Sequence, residues 1–215
     1  MAEKQQRPQV KSPRANLMYA FLSGEGRDYK GNGKFEFSVK AVFPAGAETD
    51  AFQARLDQIA ADGLAAINVQ LHEKLKPPKK ALNFDLYERD AESGALIVKF
   101  KAPTKVTSRK TGEVYPNRIR FFDAQGNMVE NALNIGNGTQ AKVIFQTFNW
   151  VSPIGCGVRL EPKAIQVLKY VEFTGFTAKT ASDFGIEAED GYTFEAGEDN
   201  SEEVGGEQPT NAGEI

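Results

Sequence analysis

Between residues 34 and 43 apolar and polar side chains alternate, with Phe35, Phe37, Val39 and Ala41 set against Lys34, Glu36, Ser38 and Lys40. A period of two puts one set on each face, so the segment predicts a half-buried β-strand that Pro44 and Gly46 stop. From Thr49 or Asp50 as N-cap the spacing changes. Phe52, Leu56 and Ile59, then Leu64, Ile67, Leu71 and Leu75, follow three- and four-residue steps and predict a helix to about residue 75. Gly63 costs that helix about 1 kcal/mol relative to Ala and marks an expected bend. Pro77 and Pro78, within the basic run Lys74, Lys76, Lys79 and Lys80, end it.

After this one long helix the chain turns to strands. Residues 96–101, 118–123, 141–151, 157–160 and on through 165–173 are rich in β-branched and aromatic side chains. The breaks between them carry turn chemistry: Glu92-Ser93-Gly94, Lys110-Thr111-Gly112, Ala124-Gln125-Gly126-Asn127 and Gly136-Asn137-Gly138. One helix among five or six strands predicts a mainly β fold, a small barrel. Residues 1–16, polar and holding Pro8 and Pro13, read as a flexible basic arm. Residues 17–182 read as the folded domain and 183–215 as a tail.

Charge sharpens that division. The formal net charge is only −3, from 26 Lys and Arg against 29 Asp and Glu. Yet the last basic residue is Lys179, and 11 of the acids lie in residues 183–215. The body therefore carries +8 and the tail −11. A basic body is an electrostatic footprint for a polyanion. A Gly- and Glu-rich tail of low hydrophobicity cannot bury enough apolar surface to fold alone and is expected to be disordered. Beside an oppositely charged body, it is expected to shield the body's own binding surface.

Catalytic constellations are sparse. Cys156 is the sole thiol and His72 the sole imidazole, so one chain cannot assemble a tetrahedral zinc site, and no metal or other cofactor is expected. His72 sits in the expected helix as a surface or partly packed side chain, and Cys156 reads as a small buried residue. Gly31-Asn32-Gly33, Gly136-Asn137-Gly138 and Gly155-Cys156-Gly157 are turn or bulge fragments, not a phosphate-cradling loop. The acid pairs Asp85/Glu88 and Asp90/Glu92 read as solvated charges. These readings predict a protein that is not an enzyme. Residues 1–16 lack the apolar centre of a signal peptide and no apolar run reaches eighteen residues, which predicts a soluble protein with no membrane partner.

What remains is a basic surface interleaved with aromatic rings. Lys101, Lys105, Arg109, Lys110, Arg118, Arg120, Lys142 and Arg159 all come from the strand-rich half and are candidate phosphate contacts. Phe148, Trp150 and Tyr115 are candidate stacking rings. Unpaired nucleic acid suits this set, because its backbone needs cations and its exposed bases stack on aromatic faces. Phe148 and Trp150 share one parity along their strand and Phe145 the other, so the strand cannot bury every ring on one face. Trp150, before the turn Ser152-Pro153, is the ring most expected to be exposed. For any one Phe a place in the core is the commoner outcome. A duplex reader is disfavoured, since no helix carries basic residues arranged for a major groove. A protein-recognition or structural role, with the basic face meeting an acidic partner, is the other reading.

Three blocks then carry a resemblance. They are Gly31-Asn32-Gly33 leading into KFEFSVKAVFP ahead of the long helix, FFDAQGNMVENALNIGNGTQAKVIFQTF, and FNWVSPIGCGVRLEPKAIQVLKYVEF. With their order and the acidic terminus, residues 15–173 resemble the acidic-tailed single-stranded DNA-binding proteins of phage replication. The resemblance implies an OB-fold barrel of five strands with one inserted helix, binding single strands without sequence preference in the host-cell cytoplasm. It puts base stacking on Phe148 and Trp150. It also implies a tail that occupies its own DNA groove and docks the phage DNA polymerase and helicase-primase, and it sets the other reading in a phage particle or replisome; the sequence leaves the oligomeric state open, a homodimer included. This chain departs in ending Gly213-Glu214-Ile215, without a terminal aromatic, which weakens the docking inference and leaves the electrostatic one intact.

Overall fold

The computed structural model describes residues 8–28, 30–74, 81–108, 110–131, 133–152 and 155–173, without side chains at 68–74 and 81–82. The chain divides into two units, Met1–Gly175 and Phe176–Ile215, and every described residue belongs to the first. The acidic tail over 183–215 lies outside the described residues.

In chain order the elements are β1 (Val10–Lys11), β2 (Ala15–Phe21), β3 (Glu36–Phe43), α1 (Ala47–Lys74), β4 (Ala81–Asn83), β5 (Tyr87–Arg89) and β6 (Leu96–Pro103). There follow β7 (Lys105–Thr107), β8 (Val114–Pro116), β9 (Arg120–Phe122), β10 (Met128–Val129), β11 (Thr139–Ser152) and β12 (Gly155–Lys169). The mainly β body with one long helix is as the pattern predicts. One sheet runs β10-β9-β12-β11-β2-β3-β6-β5, with β1 added on β11 and β4 on β12, while β7 and β8 pair separately. β6 packs near β12, but no ladder joins them among the described residues, so hydrogen bonds do not close the barrel there.

The core follows from alternation. Phe37, Val39, Ala41 and Phe43 of β3 face inward, with Val98 and Phe100 of β6 and Val143 and Phe145 of β11. Phe52 and Leu56 bring the helix onto them, and the Phe52 ring sits 5.0 Å from Phe43 and 6.2 Å from Phe145.

Two expectations are corrected here. The arm over 1–16 is anchored from residue 10 onward: Val10 pairs with Phe145 and Lys11 with Ile144, and Ser12 and Ala15 are buried. The Ser12 N–H donates to the Val143 carbonyl at 2.9 Å, and its hydroxyl accepts the Val143 N–H at 2.9 Å, so the two bonds tie this segment to β11. The helix starts at Ala47, three residues before Asp50, whose N–H donates to the Gly46 carbonyl. Thr49, buried, donates its hydroxyl back to the Pro44 carbonyl at 2.6 Å and so ties the turn down instead of capping it.

Gly63 answers to packing. A Cβ there would lie 2.3 Å from Val158 Cγ2 and 3.3 Å from Asn149 Oδ1, so its absence lets the helix lie directly on β11 and β12.

Candidate nucleic-acid interface

The register of β3 and β6 sets Lys40 directly opposite Lys99 and Ser38 opposite Lys101. β2 extends both rows, with Met18 opposite Lys40 and Phe21 opposite Ser38. Core residues occupy the other parity, so these rows form the outer face of the sheet. Two like charges directly opposite in an antiparallel pair repel and cost stability. Glu88 lies 3.6 Å from Lys99, but both side chains are more than half exposed, and such a surface pair contributes about 0–1 kcal/mol. Lys40 has no ion pair among the described residues.

Beside it lies a half-open groove of about 360 Å³, in the gap where β6 approaches β12 without pairing. Lys99, Lys101, Tyr87, Trp150 and Arg159 line it together with two carboxylates, Asp85 and Glu88, so the cations outnumber the acids by one. Tyr87 is braced from the helix: its hydroxyl donates to Asp57 at 2.8 Å and accepts from Gln53 Nε2 at 3.0 Å. Partial burial and the adjacent Asp57 carboxylate push its phenol above the usual tyrosine range. Trp150 is half-buried and sits opposite Gly157. Gly157 has to be glycine, because a Cβ there would lie 2.2 Å from the Asn83 carbonyl oxygen and force β4 off the floor of the groove.

Arg159 is held from two sides. Its guanidinium lies 4.9 Å from the centroid of the Phe148 ring, directly across the ladder, and its Nε donates to Glu161 at 3.1 Å. Lys163 donates to the other Glu161 oxygen at 3.0 Å, next to the register shift at Ile144/Phe145. Burial alone would push the Glu161 carboxyl up, but the hydrogen bonds from Arg159 and Lys163 carry it below the usual range. The buried carboxylate thus fixes where Arg159 points, and the Arg159–Glu161–Lys163 group as a whole keeps a net charge of +1.

Of the candidate phosphate contacts, Lys101 and Arg159 share this groove with Trp150, and Phe148 lies beneath Arg159. Lys105 and Arg118 line a separate cavity of about 500 Å³ with Phe35, Phe37 and Phe121 at its floor. Lys110, Arg120 and Lys142 line neither, and Arg109 lies outside the described residues. Tyr115, on β8, is half exposed and donates its hydroxyl to Glu113, away from Trp150. The parity reading of β11 is reproduced, with Phe145 fully buried and Phe148 and Trp150 half-buried on the opposite face. Trp150 is half-buried opposite Gly157 of β12 and is not the most exposed ring, however; among the described residues Tyr19, at 58%, is.

Lys40, Lys99 and Tyr87 are absent from the candidate set read in the sequence. The alternation Lys99-Phe100-Lys101 marks two of the cations as outward-facing, but only the strand register brings Lys40 to them. Among the described residues no group of three or more His, Cys, Asp or Glu is placed to hold a metal ion, and Cys156 is buried. No helix among them is long and apolar enough to cross a membrane.

A family model described as the single-stranded DNA-binding protein of bacteriophage T7 matches residues 21–170. No curated protein matches the chain. Among solved structures, the crystal structure of the single-stranded DNA-binding protein encoded by bacteriophage T7 matches with a TM-score of 0.64 at 19% identity, over 88% of this chain and 100% of that chain. The single-stranded DNA-binding protein from bacteriophage Enc34, in complex with single-stranded DNA, matches with a TM-score of 0.53 at 13% identity, over 81% of this chain and 100% of that one. Likeness at such identities establishes a shared fold.

Proposed function

The chain belongs to the family of the bacteriophage T7 single-stranded DNA-binding protein and binds single-stranded DNA in phage replication; from that premise we propose that the strand lies in the groove between β6 and β12. The observation that carries this reading is the convergence of Lys99, Lys101, Arg159 and Trp150 on one half-open groove. Lys101 and Arg159, joined by Lys99 and Lys40, neutralise successive phosphates. Trp150 stacks on a base, and Phe148 stiffens the Arg159 side of the track. Binding is independent of sequence, because every nucleotide offers the same charge and every base a π-face. Lys105, Arg118, Lys110, Arg120, Lys142 and Arg109 contribute long-range attraction from other faces of the basic body.

The protein is a non-catalytic coat that protects replication intermediates in the host-cell cytoplasm. Its −11 tail competes with DNA for the +8 body, a role that needs only charge. Docking of the phage polymerase and helicase-primase rests on the family alone.

Titration of a single-stranded homopolymer at several salt concentrations, followed by Trp150 emission, tests the groove. The expected result is quenching on saturation, with affinity falling as salt rises. Binding that leaves the emission untouched, or an absence of binding, would overturn the assignment.

A further inference from the structure

Resting on that reading, we propose that Tyr19 is a second stacking platform, and that the DNA path continues from Trp150 across the outer face of β6 and β3 to β2. A second half-open cavity, of about 390 Å³, adjoins the first and shares Lys99 and Lys101 with it. Tyr19, Phe21, Arg27 and Lys40 line its far side. The Arg27 guanidinium lies 5.0 Å from the centroid of the Phe21 ring, so a cation is fixed beside this end as Arg159 is fixed beside the other. Cations and rings therefore line both cavities, with Lys99 and Lys101 common to the Trp150 end and the Tyr19 end. Neighbouring strands stand roughly 4.8 Å apart, so crossing from β6 over β3 to β2 adds about 10 Å of track.

The backbone singles out Tyr19. Its φ of +50° makes it the sole non-glycine residue with positive φ among those described. It lies in a bulge, since Met18 pairs with Lys40 and Phe21 with Ser38, leaving two residues of β2 against Val39 alone. That position suits glycine and strains any residue with a Cβ. The ring is 58% exposed, so core packing does not offset the strain. The fold instead holds the residue in place: Asn137 Oδ1 accepts the Tyr19 N–H at 2.8 Å from 118 positions away in sequence, and the Gly138 N–H grips the Leu17 carbonyl at 3.0 Å. The Gly136-Asn137-Gly138 turn is a fastener for this bulge. Strain that surrounding structure imposes on an exposed side chain is the mark of a side chain kept for contact with something else. The flanking lysines and Arg27 make that partner anionic, and the ring gives it a flat face to stack, which single-stranded DNA supplies.

The test compares a homo-oligonucleotide of about 4 nucleotides, enough for the Trp150 groove, with one of about 12. Tyr19→Gly is expected to bind the short oligomer as the wild type does and to lose about fivefold or more on the long one. Its melting temperature is expected to hold or rise, because glycine takes φ +50° without strain. Tyr19→Phe, which keeps the ring, is expected to keep the long-oligomer affinity. Wild-type affinity of Tyr19→Gly for both lengths, or a matching loss in Tyr19→Phe, overturns the proposal while leaving the groove at Trp150 standing. Failure of the wild-type protein to bind the short oligomer overturns the groove and this extension together.

Discussion

Replacing Lys40, Lys99 and Lys101 together with Gln separates binding from folding, because the register sets Lys40 against Lys99, an unfavourable pair in the empty protein. Lys40 faces Lys99 directly across the β3–β6 ladder. Directly opposed like charges are destabilising by a few tenths of a kcal/mol, and the Lys99–Glu88 pair, exposed on both sides, contributes little to offset this. The triple variant should therefore melt at the wild-type temperature or slightly above it. DNA binding should move the other way. Each neutralised phosphate contributes a slope of about −0.7 to log K against log salt for single strands, so three lost contacts flatten the slope by about 2. Between 0.05 and 0.2 M salt, the affinity ratio of wild type to variant should then shrink by about 20-fold. Trp150 is intact in the variant and its emission reads the titration in both proteins. Lys142→Gln, whose lysine lines neither groove and acts only at long range, is the comparison and should change the slope far less. An unchanged slope in the triple variant, with its melting temperature preserved, would refute the idea that these lysines meet phosphate.

Gly63→Ala should lower the melting temperature by several degrees: overpacking against Val158 costs about 1–3 kcal/mol, outweighs the gain in helix propensity of about 1 kcal/mol, and moves the midpoint by about 2–4 °C per kcal/mol. The Glu161 carboxyl, held low in the folded state, contributes stability that is complete above its unfolded pKa of about 4.3 and lost as pH falls through the lower folded value. Glu161→Gln should lower stability by about 1–2 kcal/mol at pH 7 and flatten the acid limb of a denaturation series; an acid limb identical to wild type would show that other carboxyls dominate it. Deleting residues 183–215 should tighten binding to single strands and weaken its dependence on salt, as measured by the same titration, since it removes 11 acids that compete with phosphate.

The long alternating strands were legible in the sequence because one face of each is buried, and β3, β6 and β11 fall where the pattern puts them. β2 was obscured for a physical reason: its bulge at Tyr19 breaks the period of two, so NLMYAF does not alternate cleanly. β4, β5, β7, β8 and β10 have two or three residues each, too few for any periodicity to register. The site was legible in kind and only partly in membership. Lys101, Arg159, Phe148 and Trp150 come from two distant stretches that the fold brings together. Lys105 and Arg118, similar in local sequence, end up around another cavity. What divides these sets is the pairing of β3 with β6 and the approach of β6 to β12, both non-local. Lys40, 59 positions before Lys99, could be linked to it only through that register.

Past Phe145 the strand β11 leaves β1 and β2 behind, and among the described residues its last stretch, from Gln146 to Ser152, pairs with β12 alone. The two strands project as a blade whose outer end is propped by β4 and by the helix at Gly63. What roots these strands is side-chain packing, with Val158 and Leu160 in the core and Val158 pressed against Gly63 of the helix. The one tryptophan of the chain sits on this pair. Its emission therefore registers occupancy of the groove and, on heating, loss of the packing that roots β12. The optical midpoint should coincide with loss of the body's amide protection, with or without bound DNA.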